Sequence, residues 1–120
     1  MPAAVQPIVI TPDVDRLQAF YGDLLGAEVT ERYPQDGAVF FVELRIGDGG
    51  FGIAANTAIE TGPPGRVLLS VAVDAVDDVL GRVDPLGGTV LGEPNDMPWG
   101  QRVAHIRDPD GNAVNLTQAI

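Results

Sequence analysis

Thr11-Pro12-Asp13-Val14-Asp15-Arg16-Leu17-Gln18-Ala19-Phe20-Tyr21-Gly22-Asp23-Leu24-Leu25-Gly26 is the stretch from which the fold can be read. Val14, Leu17, Phe20, Tyr21, Leu24 and Leu25 recur at helical spacing, Thr11 or Asp13 can cap the start, and Gly26 stops the helix. The apolar run Val5 to Ile10 precedes it as a strand, and Glu28 to Tyr33, Val39 to Ile46 and Phe51 to Ala55 follow. Pro34 to Gly37 and Gly47 to Gly50 supply the turns, so the order is βαβββ.

A shift of 61 residues places Gly26 on Gly87, Val29 on Val90, Val42 on Val103, Gly50 on Gly111 and Ile53 on Val114. The second half accordingly reads as a strand at Val67 to Val73, a helix at Ala75 to Leu86, and strands at Thr89 to Leu91, Arg102 to Arg107 and Asn112 to Thr117. The expected architecture is α+β: tandem βαβββ modules, each a curved mixed sheet with one helix outside and an open concave inner face. The modules span 1–55 and 66–120 of a single domain 1–120, joined by a linker 56–65 rich in Gly and Pro.

Seventeen acidic and seven basic residues give a formal charge of −10, and every basic residue is Arg. Nucleic acid and anionic membranes are repelled by such a field, whereas a neutral or cationic small molecule is not. The plain reading of the acidity is solubility. With no cysteine, thiolate metal sites, disulfides and thiol catalysis are excluded, and the absence of Lys excludes a Schiff base. No apolar run is long enough to span a membrane and Met1 to Ala4 lacks a signal-peptide pattern, so a cytoplasmic location is expected.

Strand alternation assigns Val67, Leu69, Val71 and Val73, and likewise Phe40, Val42, Leu44 and Ile46, to the helix-packed faces. Phe20 and Tyr21 belong to the core, and Phe51 is open to either reading. The concave faces then receive Gln6, Ile8, Ile10, Phe41, Glu43, Arg45 and Ala54 in the first module. In the second they receive Leu68, Ser70, Arg102, Ile106, Asn115 and Thr117, if Asp108 to Gly111 is a four-residue turn that pairs Arg107 with Asn112. His105 falls on the core face, as a hydrogen-bonded structural residue rather than a ligand or base. Trp99, in the loop beginning at Asn95, can project over the concavity and stack on a planar ligand, or it can anchor the loop or a dimer interface. Phe41 and Tyr33 can face it from another wall, and Glu43 and Arg102 can orient polar groups or pair with each other.

The tandem repeat, Thr11-Pro12-Asp13 through Leu25-Gly26, and Trp99-Gly100-Gln101-Arg102 leading to Asp108-Pro109-Asp110-Gly111-Asn112 resemble the vicinal-oxygen-chelate superfamily. That superfamily contains glyoxalase I, extradiol dioxygenases, fosfomycin-inactivating enzymes and bleomycin-resistance proteins. Its enzymes hold a divalent metal with His, Gln or Glu from inward-facing strand positions, which fall here on Gln6, Ala54, Leu68 and Asn115. Two aliphatic side chains and two neutral amides make a poor donor set, even with Glu43 added. The resemblance is nearest to the metal-free bleomycin-resistance and mitomycin-binding members. It implies a cofactor-free, non-catalytic homodimer that sequesters an aromatic or polycyclic molecule, such as an antibiotic, in a pocket built from both chains. The alternative is a glyoxalase- or dioxygenase-like enzyme with a rearranged metal site using Glu43 or His105; a module without ligand is the third reading.

Overall fold

The computed structural model describes residues 5–120, and the chain divides into two compact units, Met1–Thr61 and Gly62–Ile120. Each is α+β, with one helix on one face of a mixed sheet among the described residues.

In the first unit, β1 (Ile8–Thr11), α1 (Val14–Leu25), β2 (Glu28–Tyr33), β3 (Phe41–Ile46) and β4 (Gly49–Ala55) follow one another, and the sheet order is β1-β4-β3-β2. β1 begins three residues later than the apolar run, because Pro7 has no N–H to offer a ladder; its carbonyl instead accepts from Gly52 N–H. Asp13 caps α1 by accepting from Arg16 N–H, and Gly26 ends it with φ +70°. The core consists of Leu17, Phe20, Tyr21 and Leu24 packed on Val42, Leu44, Phe51 and Ile53. Tyr21 meets both Phe20 and Phe51 edge to face, at centroid distances of 5.1 and 5.0 Å. Phe51 is therefore a core residue. Phe40 has core parity but lies before β3 begins, and it is 66% exposed rather than buried.

The second unit contains β5 (Leu69–Ala72), α2 (Val76–Val83), β6 (Thr89–Val90), β7 (Asn95–Met97), β8 (Gln101–Arg107) and β9 (Ala113–Ala119), ordered β5-β9-β8-β6 with β7 also on β8. β6 and β7 share one edge of β8: Gly92, at φ +123°, and Pro94 interrupt what would be a single edge strand. Asn95 to Met97, expected as loop, is thus a strand. α2 stops at Val83, short of Leu86, because Pro85 cannot continue a helix. Its N-terminal Ala75 has no capping oxygen, and Gln118 reaches over from β9 to accept from Val76 N–H at 2.8 Å. Leu69 and Val71 lie on the helix side as expected, whereas Val67, outside β5, is 82% exposed.

The largest departure from the sequence reading is in the β8–β9 hairpin. Arg107 pairs with Ala113, not Asn112, so the loop has five residues. Asn112 is consumed by the turn, its carbonyl accepting from Asp108 N–H at 3.1 Å. The buried Asp108 carboxylate in turn accepts from the backbone of Asp110 and Asn112 and from the Asn112 amide, at 2.9 to 3.0 Å. The odd residue inverts the expected faces. Ala104 and Ile106 are buried on the helix side opposite Leu116 and Val114. Gln101, Val103, His105 and Arg107 share the open side with Asn115 and Thr117. The 61-residue repeat therefore holds for Gly26/Gly87 and Ile53/Val114 but not for Val42/Val103.

Arg102 consequently sits on the helix side, away from the concave set in which a four-residue turn would place it. Its guanidinium donates to Asp77 of α2 at 3.2 Å and to Asp96 of β7 at 2.9 Å, not to Glu43. Hydrogen bonds to Asp96 and then Asp77 raise its pKa above the usual arginine value.

Replacing Asp108 by Ala leaves buried N–H groups without an acceptor. The change is expected to destabilise the protein by about 2–4 kcal/mol, lowering the melting temperature by roughly 10 °C, whereas Asp108→Asn retains an acceptor and should lose less. Arg102→Ala is expected to lower the melting temperature by a few degrees, with a smaller loss in about 1 M salt, where ion pairs are screened. Thermal unfolding followed by circular dichroism checks both.

Candidate functional site

The open face of the first unit is built by β-sheet register and one irregularity. β1 aligns Ile8 with Gly52 and Ile10 with Ala54, while β3 aligns Phe41 with Ala54 and Glu43 with Gly52. These residues share the face away from α1, as the alternation predicts. β2 joins them through a bulge between Val29 and Glu31: Val29 opposes Leu44 on the helix side, yet Glu31 opposes Glu43 and Tyr33 opposes Phe41. Strict alternation would put Val29, Glu31 and Tyr33 on one face; the bulge at Thr30 separates the last two from the first.

Tyr33 and Phe41 consequently form a ring pair with centroids 6.5 Å apart and planes tilted by 30°. The Phe41 ring lies over Gly52, where an added Cβ would come within 2.5 Å of it. Glycine is therefore what leaves room for the ring at this position. Gln6 Nε2 donates to Glu43 at 3.2 Å, and the Tyr33 hydroxyl donates to Glu31 at 3.1 Å. That hydrogen bond, then the Glu31 charge, holds the Tyr33 phenol above its ordinary pKa, with Glu43 adding to the effect. The result is a shallow row of apolar and aromatic surface, with Ile8, Ile10 and Tyr33 exposed and Phe41 half-buried, edged by two carboxylates. Nothing in the sequence Glu28 to Tyr33 marks the bulge, so sequence reasoning alone does not bring Glu31 to this face.

The open face of the second unit is polar at the matching place. Asn115 is 61 residues on from Ala54, and its β8 partner is His105 where Ala54 has Phe41. Ser70 flanks Asn115 on the other side. His105 Nδ1 lies 2.7 Å from Asn115 Oδ1, and the ring is exposed on the open face, which corrects its expected place in the core. Leu68 stands exposed immediately before β5.

Trp99 occupies the tip of the β7–β8 hairpin, in the loop Pro98-Trp99-Gly100 closed by Met97 and Gln101. It is 66% exposed, and its indole N–H donates to Gln101 Oε1 at 2.9 Å. Such exposure does not suit a side chain that anchors the loop by burial. The contact with Gln101, an open-side residue of β8, fixes the ring at that end of the sheet.

The donor set expected of a metal centre does not fit a divalent cation. Ala54 and Leu68 have no donor atom, Gln6 is engaged with Glu43, and Asn115 with His105. Among the described residues no three of His, Asp and Glu are grouped as metal ligands. No helix is long and apolar enough to cross a membrane among those residues.

Comparison with known proteins agrees with this architecture. The chain is 32% identical over 117 residues to the putative glyoxylase CFP32 of Mycobacterium bovis, an alignment covering 91% of this chain and 42% of that protein. The chain thus spans about two-fifths of the relative's length. TioX from Micromonospora sp. ML1 superposes with a TM-score of 0.76 at 23% identity, over 98% of this chain and 97% of that one. The fosfomycin resistance protein FosX from Mesorhizobium loti superposes with a TM-score of 0.73 at 16% identity, over 100% and 94%. These two establish likeness of fold. A sequence model of the family matches residues 4–116, nearly the whole chain, and the protein thereby belongs to the glyoxalase/bleomycin resistance protein/dioxygenase superfamily.

Proposed function

We propose that this protein is a non-catalytic binder that sequesters a neutral or cationic aromatic molecule, with an antibiotic as the natural candidate. The observation that carries the reading is the pairing of the exposed Tyr33 ring with a half-buried Phe41, which is seated on Gly52 with Ile8 and Ile10 beside it. Covering the exposed Tyr33 ring and the outer part of Phe41 with a planar ligand contributes about 0.5–1.5 kcal/mol per stack beyond area burial. Glu31 and Glu43, opposed across β2 and β3, repel one another, and a cationic substituent relieves that repulsion. Trp99 supplies a further exposed aromatic surface.

The names of fold neighbours, fosfomycin resistance among them, support an antibiotic context. A homodimer in the cytoplasm is part of the proposal: the exposed apolar residues Ile8, Ile10, Phe40 and Leu68 suit cover by a second copy. The name of the mycobacterial relative favours a glyoxalase-like enzyme instead. The amide and aliphatic donor positions weigh against the metal such chemistry uses in this superfamily.

Ligand binding and metal content both test the reading. In a thermal-shift panel of quinone, glycopeptide and peptide antibiotics, a true ligand at 100 times its dissociation constant should stabilise the protein by about 2.7 kcal/mol. Phe41→Ala should weaken binding of that compound by about 1–3 kcal/mol. Trp99 is the sole tryptophan, so its fluorescence reports binding directly. Trp99→Ala should cost about 1–3 kcal/mol of affinity with little change in the unliganded melting temperature. A large loss of stability with unchanged affinity would remove Trp99 from the site. Elemental analysis of protein purified without chelator is expected to give far less than one equivalent of zinc, nickel, manganese or iron; one equivalent would favour the enzyme.

A further inference from the structure

We propose that His105, held by Asn115, is a hydrogen-bond acceptor for the hydroxyl group of a phenolic or enolic ligand. The inference rests on the reading of the protein as an aromatic binder and names the polar group that such a ligand carries.

The row Ser70–Asn115–His105 crosses β5, β9 and β8 on the open face. Asn115 Oδ1 can only accept, so the His105 nitrogen 2.7 Å from it must be the protonated one. In a neutral imidazole, a proton fixed on Nδ1 leaves Nε2 as an acceptor. No other side chain is paired with this ring among the described residues, and the ring is exposed. A donor from outside the row is therefore what completes it.

The first unit supplies the contrast. Its equivalent row is Ile10–Ala54–Phe41, apolar throughout. The exchange of Phe41 and Ala54 for His105 and Asn115 keeps the strands and alters only the chemistry of the face. Along β8 the neighbouring open-side residue is Arg107, whose buried Nε has no hydrogen-bond partner among the described residues. A cation two residues from the His105 acceptor stabilises the negative charge that builds on a hydroxyl oxygen as it donates, which is greater for the more acidic phenol or enol than for an aliphatic alcohol. A purely structural role predicts the same His105–Asn115 contact but no selectivity for a ligand hydroxyl.

The first test is spectroscopic and needs no ligand. His105 is the only histidine, so long-range ¹H–¹⁵N correlation at about pH 9, above the ordinary histidine range, reads its tautomer alone. The Nδ1–H form should predominate, and Asn115→Ala, which installs the residue type of the equivalent position Ala54, should shift the ring toward the Nε2–H form. A predominant Nε2–H form in the unaltered protein overturns the proposal. The second test titrates two probes of nearly equal shape, 1-naphthol and 1-methoxynaphthalene, by calorimetry. The unaltered protein should bind the naphthol about tenfold more tightly, as one net hydrogen bond to an acceptor that otherwise faces solvent warrants. His105→Phe, which installs the residue type of the equivalent position Phe41, should reduce that ratio to about twofold or less. Equal binding of both probes by the unaltered protein overturns this proposal while leaving the aromatic-binding reading intact. Binding of neither overturns both.

Discussion

The Asp108 carboxylate is the constraint on which the second half of the molecule depends. Hydrogen bonds gather on a five-residue loop: three donors converge on this side chain, the Asp108 N–H reaches the Asn112 carbonyl, and the Asp108 carbonyl accepts from Gly111 N–H. The loop fixes which residue of β8 faces which residue of β9, and through the two-residue pleat it fixes which side chains meet α2 and which meet solvent. Gly111, at φ +91°, also lies so close to the Gly62 carbonyl that any Cβ there would collide with it. The backbone of Gly62 donates in turn to Asp110 O at 3.2 Å. One buried acceptor thus orders a turn, a register and the start of its own unit. The first unit needs no such device, because Gly47 and Asp48 make a two-residue turn with Gly47 at φ +58°.

That difference explains how far the sequence could be read. α1 was legible to the residue, because its periodicity, its Asp13 cap and its Gly26 stop all agree. The face of β3 and β4 was legible although Gly49 and Gly50, expected in the turn, belong to β4, because an even shift of register leaves the same residues on the same face. β8 was misassigned because Asp-Pro-Asp-Gly reads as a four-residue turn, while Asn112, an ordinary polar residue in a one-dimensional reading, is drawn into the loop by the Asp108 carboxylate. The displacement of Arg102 and His105 followed from that single residue. Val67 and Phe40 failed for another reason: alternation gives the side of a strand but not how far the covering helix extends.

The candidate surfaces are products of the same geometry. In the first unit the rings of Tyr33 and Phe41 meet because a bulge and a glycine cooperate: one sets the face of Tyr33, the other clears space beneath Phe41. In the second unit a hydrogen-bonded amide and imidazole occupy the equivalent ground. Two modules with one topology therefore present different chemistry at equivalent positions, apolar and aromatic in one and polar and hydrogen-bonded in the other. The division follows the general pattern by which sites are grafted onto a fold that does not itself dictate function.

The Thr30 bulge also bears on how such a surface survives a change in chain length. β2 is an edge strand whose residues are mostly solvent-exposed, so only β3 has to accommodate an irregularity in it. Loss of the Thr30 codon would make the ladder regular and still leave Val29 opposite Leu44, Glu31 opposite Glu43 and Tyr33 opposite Phe41. A flush central strand has no such latitude, since an added residue there turns every later side chain over or breaks two ladders at once. A bulge also steepens the local twist of its strand, so the presence or absence of one residue changes the tilt at which Tyr33 is offered against Phe41 while both rings stay in place. Insertions and deletions in paired strands are usually counted as damage; at a bulged edge they become a fine adjustment, and lineages of this fold can reshape what they hold without replacing the side chains that hold it.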